Sequence, residues 1–268
     1  MTTRRRVTRV TGATKADVVD DIARESPLAL AVNGVHLVTT MRTPGHDLEL
    51  AAGWLVAEAG VRAAADIVAM KALTADPDRP DDVDTVQVSL AEGLAAPEPR
   101  AVLTSSACGV CSSRQGVSAA KPGGPLHSPG WSVAARTLLE APAAMLARQR
   151  TFERTGGLHA AAIAAADGTV AGVREDVGRH NAVDKVVGRC LLDGRLPLTD
   201  RLLLVSGRVS FEIVQKALAA GAAGIVAVSA PSSLAVDLAR EHGLLLVGFS
   251  RGSSLNAYAC PELIGDPG

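Results

Sequence analysis

Apolar and polar residues follow several distinct rhythms along the chain, and each predicts its own element. Residues 28 to 32 and 35 to 41 are mostly apolar runs separated by Asn33-Gly34. Both turn residues tolerate positive φ, so the pattern predicts a β-hairpin. From Asp47 to Ala59 the apolar positions 48, 51, 52 and 55 recur with helical spacing, and Gly60 fits the position just past the helix end. Ala75 to Asp84 holds Pro77, Pro80 and five aspartates, the composition of a solvated loop. Thr85 to Leu90 alternates apolar and polar, as a half-buried strand does. Together these predict a small α+β unit over residues 1–100.

Trp131 to Phe152 has an apolar stripe through Leu138, Leu139, Met145 and Leu146 and predicts a helix kinked at Pro142. An Ala-rich run opened by His159 also reads as helical. Strand candidates Leu202 to Val205, Ile225 to Val228 and Leu244 to Val247 alternate with helices over Ser210 to Ala220 and Ser232 to His242. Ser210 and Gly221 suit the ends of the first helix, and Gly243 closes the second. Fully apolar strands joined by helical crossovers predict a mostly parallel sheet covered by helices, over residues 131–268. Ligands of such sheets gather beyond the carboxyl ends of the strands. Ala217 to Val236 carries no charge, yet Gly221, Gly224 and Pro231 interrupt it, so it is not read as a membrane span.

Composition narrows the function classes. Hydrophobic residues make up 47% and charged residues 21%, a globular balance. The formal charge of −1 and the 2% aromatic content argue against a nucleic-acid partner, which needs a basic face or stacking rings. Arg4, Arg5, Arg6 and Arg9 are not followed by an apolar h-region, so no secretory signal is expected. Four sparse cysteines then fit free thiols in the cytoplasm.

Cys108-Gly-Val-Cys111 is the densest chemical feature. Such a pair can form half a zinc site, cycle as a dithiol, or carry a persulfide sulfur; Arg114 nearby would favour a thiolate. It lies between Pro97/Pro99 and the Pro/Gly-rich stretch from Lys121 to Gly130, so residues 101–130 are expected to be a mobile segment. Arg154-Thr-Gly-Gly-Leu-His159 and Glu175-Asp-Val-Gly-Arg179-His180-Asn-Ala-Val-Asp184-Lys185 are two further constellations. The second has a plain alternative as a solvated helix start, with Asp176 capping and Asp184-Lys185 on a wet face. The stretch Phe249-Ser250-Arg251-Gly252-Ser253-Ser254 reads as a flexible loop whose backbone N–H groups could approach an anion.

The combination resembles the formate dehydrogenase accessory sulfurtransferases (FdhD). The resemblance rests on Cys108-Gly-Val-Cys111, Thr155-Gly-Gly-Leu-His159-Ala-Ala-Ala, the Glu175-to-Lys185 block, Ser206-Gly-Arg208-Val-Ser-Phe-Glu-Ile-Val-Gln-Lys216 and Val247-Gly-Phe-Ser-Arg-Gly252. It implies a sulfur carrier that takes sulfur from a cysteine desulfurase as a persulfide on Cys108, with Cys111 assisting. It implies delivery to the bis-molybdopterin guanine dinucleotide molybdenum cofactor of formate dehydrogenase. It further implies a homodimer, a cytidine-deaminase-like C-terminal domain, and cofactor binding through Phe249 to Ser254. Arg208, Arg179 and His180 are candidates for meeting the phosphates. The family commonly has Gly after the second cysteine, where this chain has Ser112. Deaminase chemistry itself is not expected: Ala161 stands where the His-x-Glu motif needs its Glu, and Ala107 precedes Cys108 where that motif has Pro. A zinc-stabilised binding module or a cofactor chaperone without sulfur chemistry are the alternatives.

Overall fold

The computed structural model describes residues 1–76, 78–79, 82–97, 99 and 125–265. The chain opens with an antiparallel ribbon, β1 (Thr2–Thr11) and β2 (Thr14–Ala23), which the sequence reading did not anticipate. Arginines on β1 stand opposite aspartates on β2, as Arg4 does with Asp21 and Arg5 with Asp20. Those cross-strand charges, rather than apolar alternation, carry the ribbon's pattern. Next come β3 (Ser26–Val32) and β4 (Val35–Arg42), the expected hairpin, with Asn33 and Gly34 at φ of 50° and 81°. α1 (Asp47–Glu58) also forms as expected. β5 (Ile67–Leu73), not expected, and β6 (Asp84–Leu90) complete a four-stranded sheet in the order β4-β3-β6-β5.

The predicted helix over 131–152 is instead three elements: β7 (Val133–Ala134), α2 (Ala135–Leu146) and α3 (Arg150–Thr155). Pro142 lies inside α2, and the break falls after it. The reason is a new helix start: the Glu175 carboxylate accepts the N–H groups of Thr151 and Phe152 at 3.0 and 2.6 Å, capping α3 from outside. His159 opens a strand, β8 (His159–Ala165), rather than a helix. Alanine's helical preference is weak beside ladder pairing on two sides and burial of both faces.

β8 pairs with β9 (Val170–Asp176) and with β10 (Arg201–Val205), both antiparallel. α4 (Arg179–Leu192) precedes β10; α5 (Phe211–Ala220), β11 (Gly224–Ala227), α6 (Ser233–Glu241) and β12 (Leu245–Arg251) follow it. β13 (Ser254–Ala259) turns back on β12, and a two-residue β14 (Ile264–Gly265) pairs with β7. The six-stranded sheet therefore runs β13-β12-β11-β10-β8-β9. Only β10–β11 and β11–β12 are parallel, so the sheet is mixed, not mostly parallel. The two flanking hairpins need only short turns and add antiparallel edges to the parallel centre. The stretch 249–254 is the end of β12, a turn and the start of β13, not a free loop.

One face of this sheet, with Ala160, Ala162, Ala164, Leu202, Leu204 and Val247, packs on Leu138 and Met145 of α2. The opposite face, with Ala161, Ile163, Leu203, Val205 and Leu246, joins α4 and α5 in a core that continues through α1 into the first sheet. The two sheets meet where α1 crosses α4 at Gly53 and Gly188. A Cβ at Gly188 would sit 1.8 Å from the carbonyl oxygen of Glu49, and one at Gly53 would sit 1.9 Å from that of Asp184. Beside this crossing Glu49 accepts from Arg174 Nη2 at 2.8 Å and meets His46 Nδ1 at 3.3 Å. Burial pushes the Glu49 carboxyl up, but the bonds from Arg174 and His46 outweigh it and bring the pKa down to about 2.

Gly188→Ala is expected to cost about 3 kcal/mol or more by urea denaturation, because backbone must separate from backbone. Gly243→Ala, at φ +67° with open space around it, is expected to cost only about 1 kcal/mol of conformational strain. Because the folded pKa of Glu49 lies below its ordinary value of 4.5, its contribution is present above that pH and is lost as pH falls towards 2. Glu49→Gln is therefore expected to flatten the loss of stability across that window in acid-denaturation curves.

Candidate functional site

The carboxyl ends of β9, β10, β11 and β12 and the amino end of β8 lie at one end of the six-stranded sheet. Asp176, the last residue of β9, is fully buried and organises this end. Its Oδ2 lies 2.6 Å from Lys185 Nζ and accepts the Thr43 N–H at 3.0 Å. Its Oδ1 accepts from the Gly178 N–H at 2.8 Å and from Asn181 Nδ2 at 3.1 Å. Lys185 Nζ also donates to the Thr43 carbonyl at 2.8 Å, and Asn181 Nδ2 to that of Met41 at 2.8 Å. Thr43 Oγ1 accepts the Val177 N–H. The motif from Glu175 to Lys185 is thus a clamp between the start of α4 and the turn after β4.

The reading of this motif as a solvated helix start does not survive. Asp184 and Lys185 are both buried, and Asp184 pairs with Lys216 of α5 at 2.6 Å. Burial raises the Asp184 pKa against the pull of Lys216. Charges held this deep must be paired and hydrogen-bonded, and here they are.

Above the clamp, His159 and Arg179 converge on Gly207, just beyond β10. A Cβ there would lie 3.2 Å from His159 Nδ1 and 3.7 Å from Arg179 Cδ, so glycine makes room for both. Burial lowers the His159 pKa, and Arg179 and His180 lower it further, with Asp176 opposing. His180 faces α5: its Nε2 lies 2.9 Å from Glu212 Oε2 and 3.2 Å from Ser210 Oγ. Burial would raise Glu212, but its bond and charge interaction with His180 bring the net shift downward.

A cleft of about 700 Å³ opens beside this cluster. Leu139, Pro142, Ala143 and Leu146 of α2 and Phe152 of α3 supply an apolar wall. Gly156, Gly157 and His159 line it on the β8 side, and Ser250, Arg251 and Gly252 on the β12 side. The Arg251 guanidinium lies 5.6 Å from the centre of the Phe249 ring, a cation–π contact, and Phe249 takes a positive φ of 50°. Ser250 is buried and its hydroxyl donates to the Leu138 carbonyl at 2.6 Å.

Of the residues singled out from sequence, Ser250, Arg251 and Gly252 line the cleft, with Phe249 beneath Arg251. Arg179 lies beside His159, and His180 is held by α5. Arg208, Ser253 and Ser254 are exposed at the same end of the sheet but do not line the cleft. Cys108 and Cys111 lie outside the described residues. The apolar wall was missed. Its signal is the apolar stripe along 138–146, which predicts a helix but not what that face lines. Among the described residues no cluster of His, Cys, Asp or Glu is arranged to hold a metal ion, and no helix is long and apolar enough to cross a membrane.

The fold and cleft define a mixed α/β protein with a ligand-sized site at its strand ends. The model of the FdhD/NarQ family matches residues 23–265, and the chain belongs to this family. It is 48% identical over 267 residues to a Streptomyces coelicolor protein named "Sulfur carrier protein FdhD", covering 97% of this chain and 94% of that one. A Mycobacterium tuberculosis protein of the same name is 44% identical over 254 residues, covering 91% and 92%. The crystal structure of a "putative formate dehydrogenase accessory protein" from Desulfotalea psychrophila superposes with a TM-score of 0.76 at 23% identity, over 98% of this chain and 99% of that one.

Lys185→Met leaves Asp176 buried without its cation and is expected to cost about 3–5 kcal/mol in denaturant unfolding. The double change Asp176→Leu with Lys185→Met is expected to recover part of that loss, since no lone charge remains.

Proposed function

We propose that this chain is a sulfur carrier, acting as a sulfurtransferase in the cytoplasm. In this reading the Cys108 thiolate attacks the outer sulfur of a cysteine desulfurase persulfide. The donor's S–S bond breaks, the desulfurase thiolate leaves, and Cys108 keeps the extra sulfur as a persulfide. Cys111 assists that exchange. The outer sulfur then passes to the bis-molybdopterin guanine dinucleotide molybdenum cofactor, the cargo, which formate dehydrogenase needs for activity: the persulfide S–S bond breaks, Cys108 leaves as a thiolate, and the two electrons that bring the sulfur to the sulfide level come from the cargo metal. The carrier works as a homodimer.

The observation that carries the reading is the cleft, in a chain of this family that also holds the cysteine pair. Its apolar wall suits the face of a nucleobase, and Arg251 beside Gly252 offers a cation and approachable backbone for phosphate oxygens. Arg179, beside His159 at Gly207, adds a second cation near the cleft. The names of the relatives point the same way, since those proteins are called sulfur carriers.

Incubation with a cysteine desulfurase and cysteine, followed by intact-protein mass spectrometry, tests the proposal. One added sulfur atom is expected, absent in Cys108→Ala. Cys108→Ala is also expected not to restore formate dehydrogenase activity in cells lacking the carrier. One tightly held zinc per chain, lost together with folding in that variant, would instead indicate a structural metal site. Full restoration by Cys108→Ala would leave only a cofactor chaperone.

A further inference from the structure

Among the described residues lining the cleft, Gln149 is the polar side chain that is buried and yet makes no hydrogen bond. It is 4% exposed, and no described residue bonds its amide. The other polar groups there are engaged or reach solvent. Ser206 Oγ accepts the Ala160 N–H at 2.8 Å, Ser250 Oγ donates to the Leu138 carbonyl, His159 is half-buried and Arg251 is exposed. Neither amide atom of Gln149 is sealed off, so the small surface the residue keeps includes its polar end, which opens onto the cleft. A buried donor and acceptor left unbonded cost stability, and a fold tolerates that cost where a ligand completes them.

Local structure explains why the amide is spare. Gln149 stands at the N-cap position of α3, whose side chain ordinarily accepts an N–H from two or three residues further on. Here those N–H groups, of Thr151 and Phe152, go to Glu175 instead, and the Gln149 side chain makes no cap bond. Gln149 also extends a stripe. Leu139, Pro142 and Leu146 recur at three- and four-residue spacing along α2, Gln149 follows three residues later, and Phe152 three beyond that. All five line the cleft, so its apolar wall carries one amide, between Leu146 and Phe152 in the chain.

We propose that Gln149 reads the edge of the cargo's guanine base, its amide N–H donating to the O6 carbonyl and its amide carbonyl accepting the N1–H. The inference rests on the sulfur-carrier reading, in which the cleft seats the nucleotide portion of the cargo. A base lying on the wall covers apolar side chains with its face. Its hydrogen-bonding groups point outward in the plane of the rings, where they need a partner with a donor and an acceptor side by side. An amide is such a partner. Phosphate oxygens would leave the amide carbonyl unmatched, and Arg251 on the β12 side suits them better.

The test uses the full chain, with guanosine diphosphate and its N1-methylated form as probes, and calorimetry as the readout. Gln149→Met keeps the length of the side chain and removes the amide; Gln149→Leu is its companion. Wild type is expected to bind the methylated nucleotide about 10-fold more weakly than the plain one, the range of a lost hydrogen bond between buried groups. Both variants are expected to bind guanosine diphosphate about 10-fold more weakly than wild type, with no further loss on methylation. Without ligand they are expected to melt at or above the wild-type temperature, because an unbonded buried amide has been replaced by an apolar group. A variant that binds guanosine diphosphate as wild type does, or one that weakens but still discriminates against the methylated base, overturns the proposal. So does a variant that unfolds or melts well below wild type, since the amide then has a partner within the fold. Failure of the wild type to bind guanosine diphosphate at all would instead strike the reading of the cleft as the cargo's seat.

Discussion

The buried pairing of Asp176 with Lys185 is the constraint from which the functional end of the molecule takes its shape. Neither charge is exposed, and each is also bonded to the turn after β4. An ion pair with no water around it tolerates little displacement, because any gap leaves a naked charge in a medium of low dielectric. The pair thereby fixes three things at once: the end of β9, the first turn of α4 and the seat of the first sheet. His159 stands opposite Asp176 in the β8–β9 ladder, and Arg179 begins α4, so both inherit their positions from this bond.

A second constraint works by steric closeness rather than charge. The approach of α1 to α4 at Gly53 and Gly188 brings helix backbone against helix backbone, and it merges the cores of the two sheets. Glu49, one turn before Gly53, links to Arg174 on the edge strand β9. The residues that hold the first sheet in place thus border those that shape the cleft.

Much of the fold was legible from local patterns. Asn33-Gly34 announced its hairpin because few residues accept two successive positive φ values. The three strands β10, β11 and β12 and the two helices α5 and α6 followed from apolar runs punctuated by glycine. Illegible elements were those set by distant partners. β8 reads as helix because alanine favours one, until β9 and β10 pair on either side and α2 and α4 cover its faces. The break between α2 and α3 depends on Glu175, more than 20 residues away. The β1–β2 ribbon has no buried face to impose an apolar rhythm. For the site, Arg251 and Gly252 were found from a local run of small and cationic residues, whereas the α2 wall looks like any core stripe until the sheet end is placed beside it.

The Ser250 hydroxyl bonded to the Leu138 carbonyl has a mechanical consequence. It rivets the strand carrying Arg251 to the helix opposite, so those two sides of the cavity behave as one rigid jaw. Admission of a bulky guest then falls to the third side, where Gly156 in a left-handed conformation and Gly157 after it leave the backbone without side chains to stiffen it.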